Sequence, residues 1–175
     1  MEGKPQDERY LEAAAEYGAA LHRLASAYEA DPDKRRDLLQ ELHLALWRSL
    51  ASFDGRCSLR TWVYRVAHNA ATSYVISQRR SRASAWISLE EVAAVADPAE
   101  GEWAADRRHS VDRLLALIQQ LKPLDRQVIL SYLEGLDAVT TAEITGISPG
   151  NVATKIHRIK NLLTQRFHEG VSDAE

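Results

Sequence analysis

The sequence predicts an all-α protein, built as two small helical domains joined by a flexible linker. Three observations predict this. Apolar residues recur at three- and four-residue steps along most of the chain, with no alternating strand pattern bounded by turn residues. Helix-starting and helix-stopping residues fall at the ends of those periodic runs. Residues 83–109 are Ala-rich and acidic, contain Asp97-Pro98 and have only weak periodicity. A connection of that length is unusual inside one domain, so the chain divides there, into residues 9–82 and 110–170.

The first helix is expected from about Asp7 to Glu29, because Tyr10, Ala14, Tyr17, Leu21, Leu24 and Tyr28 step by four and three along one stripe. Asp31-Pro32 ends it and opens the next, with Asp31 as N-cap and the proline in the first turn. That second helix runs to about Ser52 and turns Leu38, Leu39, Leu42, Leu46 and Leu50 inward. Residues 53–57 form a tight loop in which Gly55 is free to take positive φ. Ser58 caps a third helix that ends near Arg80, with Leu59, Trp62, Val63, Val66, Ala70 and Tyr74 on its apolar side and Tyr64 off that stripe. Within the linker a short helical turn is expected near residues 87–95.

The second domain opens with an amphipathic stretch from Val111 to Leu121. Lys122-Pro123 separates it from a helix that Gly135 closes. Thr140-Thr141-Ala142-Glu143 has the pattern of a capping box and is expected to open a very short helix. Gly146-Ile147-Ser148-Pro149 is a turn, an N-cap and a first-turn proline. The last helix then runs to about His168, with Val152, Ile156, Ile159, Leu163 and Phe167 inward and a frayed tail from Gly170.

Bulk properties exclude several functions. With 175 residues, no apolar run long enough to span a bilayer and a polar start from Met1 to Arg9, the chain is expected in the cytoplasm with no membrane insertion. A single cysteine, Cys57, leaves no internal disulfide. There is no glycine-rich phosphate loop, no His/Cys cluster and no nucleophile elbow, so neither an enzyme nor a cofactor or metal site is expected.

Charge is more informative in its order than in its total. The net charge is −3, yet Arg56, Arg60, Arg65, Arg79, Arg80 and Arg82 lie in a stretch, 55–89, that holds no acid. Six acids and no Lys or Arg follow between Glu90 and Asp106. Lys155, Arg158, Lys160 and Arg166 then occupy a second acid-free stretch, 146–168. Two basic blocks around an acidic one point to two surfaces that face polyanions.

The short capped helix, glycine turn and longer capped helix from Thr140 to Lys160 have the layout of a helix-turn-helix. The second helix of such a unit enters the major groove, which makes Ser148, Gly150, Asn151, Thr154, Lys155, His157 and Arg158 candidate contacts to the duplex. Arg and Lys donate to guanine, and Asn can pair with adenine. In the first domain the arginines can track a phosphate backbone, and Tyr64 is free to stack on an exposed base. Trp62, by its spacing, belongs to the core.

These residues resemble a known family. Residues 37–47 look like region 2.1–2.2 of a sigma factor. Residues 53–69, FDGRCSLRTWVYRVAHN, are close to the region 2.3–2.4 pattern of extracytoplasmic-function (ECF) sigma factors. Residues 121–130 and 149–158 look like region 4. The resemblance implies a subunit that docks on RNA polymerase core, through the β′ clamp helices and the β flap, and directs it to promoter DNA. It implies core binding by Asp37, Leu38, Gln40, Glu41 and Trp47. It implies that Phe53, Gly55, Arg56, Ser58, Arg60, Tyr64, Arg65, Asn69, Arg79 and Arg80 handle the −10 element, with the 53–58 loop and Asn69 holding a flipped base of the non-template strand. Asn69 suits that role because its amide both donates and accepts. Region 4 would read the −35 element as duplex, and the acidic linker would run through the polymerase's basic RNA path. An anti-sigma factor is a further partner the family implies. Two features depart from the family: Ala153 stands where many members have a basic residue, and Thr140 to Glu143 replaces a frequent S-x-x-E-I-A. Two other readings remain: a stand-alone helix-turn-helix regulator that dimerises through its first domain, and a sigma mimic that sequesters an anti-sigma factor.

Overall fold

The computed structural model describes residues 5–80 and 107–172, and the side chains of all but a few residues at the ends of those spans. Seven helices fill the described residues: α1 (Gln6–Tyr28), α2 (Pro32–Leu50), α3 (Leu59–Arg80), α4 (Arg107–Gln120), α5 (Pro123–Leu133), α6 (Ala138–Thr145) and α7 (Pro149–Ser172). The helical turn expected near residues 87–95 lies outside them.

Local chemistry sets most boundaries. Asp31 is the N-cap of α2, its side chain accepting from the Asp33 and Lys34 amides, and Pro32 fills the first turn, where a missing N–H costs nothing. The Ser58 hydroxyl accepts from the Thr61 amide at 3.0 Å and starts α3. Gly55 sits at φ 77°, as the tight loop requires. Gly135 and Gly146, at φ 73° and 77°, stop α5 and α6 in the same way. The cap of α6 differs from the expected capping box. Asp137 accepts from the Thr140 amide at 2.7 Å, so the helix begins one turn earlier and Thr140 lies inside it. The last helix also continues past Gly170, to Ser172.

Helices α1–α3 form a three-helix unit. Leu38, Leu42, Leu46 and Leu50, one helical turn apart on α2, are each at most 1 % exposed. They meet Leu21, Leu24 and Tyr28 of α1, beside Ala13, Ala25 and Ala27, whose small side chains allow close approach, and Val63, Ala67, Ala71 and Val75 of α3. Helix α3 buries a second face as well, carrying Tyr64 and His68, which turns away from α2 toward α5 and α6.

Helix α5 is the centre of the second unit and is buried all round from Asp125 to Ser131. Leu117 and Ile118 of α4 and Leu121 just after it pack on it, as do Val152, Ile159 and Leu163 of α7. The two units share one apolar cluster. Polar contacts tie the seam: Gln119 Nε2 donates to the Ser26 carbonyl at 2.9 Å, and Gln127 Nε2 to Thr72 Oγ1 at 3.0 Å. The buried Arg126 guanidinium lies 5.1 Å above the Tyr28 ring and donates to the Gln119 and Leu121 carbonyls.

Candidate nucleic-acid and partner interfaces

The outer face of α2 carries Asp37, Gln40, Glu41 and Trp47, all exposed. Leu44, 39 % exposed, joins them one turn beyond Glu41. It was absent from the sequence reading, although its position off the Leu38, Leu42, Leu46 stripe could have revealed it. Leu38 corrects the expectation in the other direction: at 0 % exposure it supports this face from beneath and does not form it. Trp47 is anchored at its polar edge, with Nε1 donating to Asp7 Oδ1 at 2.7 Å and its carbonyl accepting from Gln6 Nε2 at 2.7 Å. The N-terminal turn of α1 thus holds the indole, 38 % exposed, at the end of an acidic and amide-bearing strip.

The loop before α3 opens on a pocket of about 360 Å³ lined by Arg9, Glu12, Phe53, Asp54, Gly55 and Leu59. Phe53 packs against Trp62 with ring centroids 5.3 Å apart, and Trp62 Nε1 donates to Ser49 Oγ at 3.0 Å. Arg9 reaches the Phe53 carbonyl at 3.3 Å. The pocket therefore has an aromatic wall fixed from behind and a rim of both charges. Arg56 is exposed beside it, 2.9 Å from Asp54, and Ser58 is held by its capping bonds. Asn69 is exposed on α3.

The other α3 residues are placed differently from the sequence reading. Tyr64 is only 4 % exposed, so it is not free to stack on a base in this arrangement. Its hydroxyl donates to Glu134 Oε2 at 2.9 Å, and burial followed by that bond pushes its pKa well up. Arg60 Nη2 donates to the Glu134 carbonyl at 2.6 Å, and Arg65 Nη2 to the Glu143 carbonyl at 3.0 Å. Arg79 and Arg80 close α3; their side chains lie outside those described.

Helix α6, the Gly146 turn and α7 form the expected short-long pair. Gly150, Asn151, Thr154, His157 and Arg158 are exposed along α7. Ser148 caps the helix, its oxygen accepting from the Asn151 amide at 3.3 Å, and is exposed with its hydroxyl hydrogen left to donate. Thr154 Oγ1 donates back to the Gly150 carbonyl, and Asn161 Nδ2 lies 3.2 Å from His157 Nε2. Lys155 departs from the other candidate contacts of α7. Its ammonium turns inward to Asp125 Oδ1 at 2.5 Å, where the carboxylate side chain is 6 % exposed. It braces α7 against α5. Among the described residues no group of three or more His, Cys, Asp or Glu is placed to hold a metal ion, and no helix is long and apolar enough to cross a membrane.

Among the described residues the structure is helical, and an arginine-bearing three-helix unit beside a helix-turn-helix whose second helix is exposed and free of acids up to His168 defines the class of helical DNA-binding proteins. The comparisons narrow this. Residues 14–81 match the model of Sigma-70 region 2, and residues 112–163 that of Sigma-70, region 4. The ECF RNA polymerase sigma-E factor of Haemophilus influenzae is 28 % identical over 141 residues, 75 % of this chain and 73 % of the relative. The ECF sigma-E factor of Escherichia coli K12 is 30 % identical over 118 residues, 67 % of this chain and 59 % of the relative. A solved structure of the sigma factor RpoE in complex with the anti-sigma factor NepR, from Bartonella quintana, has the same fold, with TM-score 0.64 and 18 % identity over 91 % of this chain and 96 % of that one. The chain belongs to the sigma-70 family, in its extracytoplasmic-function branch, and is an RNA polymerase sigma factor.

Proposed function

We propose that this sigma factor divides promoter recognition between its two units, residues 9–82 and 110–170, on either side of the 83–109 linker. The strip of Asp37, Gln40, Glu41, Leu44 and Trp47 docks on the β′ clamp helices of core polymerase. The 53–58 loop, with Asn69 and the α3 arginines, captures unstacked −10 bases. Helix α7, through Gly150, Asn151, Thr154, His157 and Arg158, reads the −35 duplex while α6 and α5 hold it at the groove, and the second unit meets the β flap. The bound state of RpoE with NepR supports an anti-sigma factor as a further partner of this chain. The site of action is the cytoplasm, and the chain itself carries no reaction.

One observation carries this reading. An open, aromatic-walled pocket, the exposed Asn69 amide and an acid-free run of arginines all belong to one loop and the helix that follows it. The pocket can hold one flipped base against Phe53. Asn69, about 15 Å further along α3, can read the edge of another, and the arginines take the phosphates. Such binding offsets part of the unpairing cost, a few kcal/mol per base. The test is transcription from the cognate promoter with reconstituted holoenzyme. Asn69→Ala and Arg65→Glu should lose open complex formation while retaining core binding. Normal initiation by Asn69→Ala would refute the base-reading role of Asn69.

A further inference from the structure

The first turns of α1 lie across the end of α2 and the loop that follows it. Asp7 Oδ1 accepts from Trp47 Nε1 at 2.7 Å, and Gln6 Nε2 donates to the Trp47 carbonyl at 2.7 Å. One turn on, the Tyr10 hydroxyl lies 3.1 Å from His43 Nδ1, with the two rings edge to face. Arg9 Nη1 donates to the Phe53 carbonyl at 3.3 Å. Residues 6, 7, 9 and 10 of one helix thus grip residues 43, 47 and 53, and the bonds on either side of Asp7 fix the place of its carboxylate.

We propose that Asp7 is a positioning residue for core docking, which acts on the polymerase only through Trp47. The proposal rests on the reading of the α2 strip as the face that meets core polymerase. Trp47 is 38 % exposed, with the rest of its surface against the protein. An indole at such an edge turns among several rotamers when nothing holds it, and docking must then arrest it at a cost in entropy. Its N–H also needs an acceptor once a partner excludes water. Asp7 meets both needs before the partner arrives: the ring is already set and its donor already used. The strip then offers ring surface beside Leu44, bounded by Glu41, Gln40 and Asp37.

Two other roles for Asp7 predict different patterns. As an acid in the first turn it complements the helix N-terminus, a role that Glu8 shares. As an exposed anion it extends the acidic strip toward a basic partner. Only a group acting through the indole can be replaced by a neutral acceptor and loses all effect once the indole N–H is gone.

The experiment titrates the full chain onto immobilised core polymerase. It also follows the indole N–H resonances of the isotope-labelled chain, with Trp47→Phe identifying the Trp47 signal. Asp7→Ala should weaken core binding about fivefold, the scale of one hydrogen bond, and move the Trp47 resonance toward that of an indole in water. Asp7→Asn, which keeps an acceptor and drops the charge, should retain most of the affinity, and Glu8→Ala all of it. In the Trp47→Phe chain, Asp7→Ala should cost nothing further. Transcription by the Asp7→Ala holoenzyme should be normal once the sigma factor is saturating. Natural affinity in Asp7→Ala, or an unmoved resonance, overturns the assignment. So does an equal loss in Asp7→Asn or in Glu8→Ala, or a loss that persists in the Trp47→Phe background. If Trp47→Phe and Trp47→Ala both bind core as the natural chain does, Trp47 has no part in docking, and the role of Asp7 falls with it.

Discussion

Protonation of His68 gives a quantitative handle on the seam between the units. The imidazole is 1 % exposed on α3, with Nδ1 3.1 Å from the Tyr28 hydroxyl and Nε2 3.4 Å from Ser131 Oγ on α5. Burial pushes its pKa down to about 4 from the ordinary 6.5, with the Glu134 charge acting in the opposite sense. The unfolded chain therefore binds a proton at this site that the folded chain refuses. Stability is complete above pH 6.5 and declines as the pH falls toward 4. The linkage relation gives a loss on the order of 1 kcal/mol at pH 5.5, growing to between about 2 and 3 kcal/mol at pH 4.5, from this residue alone. The assay is guanidinium unfolding followed by helical circular dichroism at pH 7.5 and 5.5, for the natural chain and for His68→Gln. Glu134 stays ionised across that window, because its pKa is lowered from the usual carboxylate value by Arg23. His43, whose pKa burial also lowers, contributes equally to both chains and drops out of the difference. The natural chain should lose on the order of 1 kcal/mol more than the variant. Equal losses, or a nuclear magnetic resonance titration placing His68 near 6.5, would refute the reasoning.

Two further substitutions test the second unit. Lys155→Ala leaves the Asp125 carboxylate buried without its cation, and should cost about 2 kcal/mol in chemical unfolding, less than a fully buried pair because the lysine side chain is 29 % exposed. Asp137→Ala should lower Tm by removing the cap of α6, whereas Thr140→Ala should leave Tm nearly unchanged; the reverse order would restore the capping box expected from the sequence.

Features that depend on a few neighbouring residues were legible from the sequence. The leucine stripe of α2, the caps at Asp31, Ser58 and Ser148 and the positive φ of Gly55 each follow from local geometry, and all are present. So is the short-long helix pair, whose second member is exposed and carries no acid before Glu169. The resemblance over residues 53–69 pointed to the family because loop and helix are contiguous in the chain.

Tertiary packing decided the rest. Periodicity reports one apolar face per helix, and by that measure Tyr64 stood clear of the α3 stripe. Yet α3 lies between α1 and α2 on one side and α5 and α6 on the other, so Tyr64 and His68 are buried by residues some 60 to 70 positions away. Lys155 reads as a free cation until Asp125, 30 residues earlier, is seen to take it. The sequence by itself determined which segments are helical, where most of them start (α4 and α6 begin about a turn earlier than expected) and which carry charge, since those properties arise within a turn or two of backbone. Which charges meet water and which meet Glu134 or Asp125 was decided by the approach of distant helices, because desolvation and ion pairing depend on distance in space, not on separation along the chain.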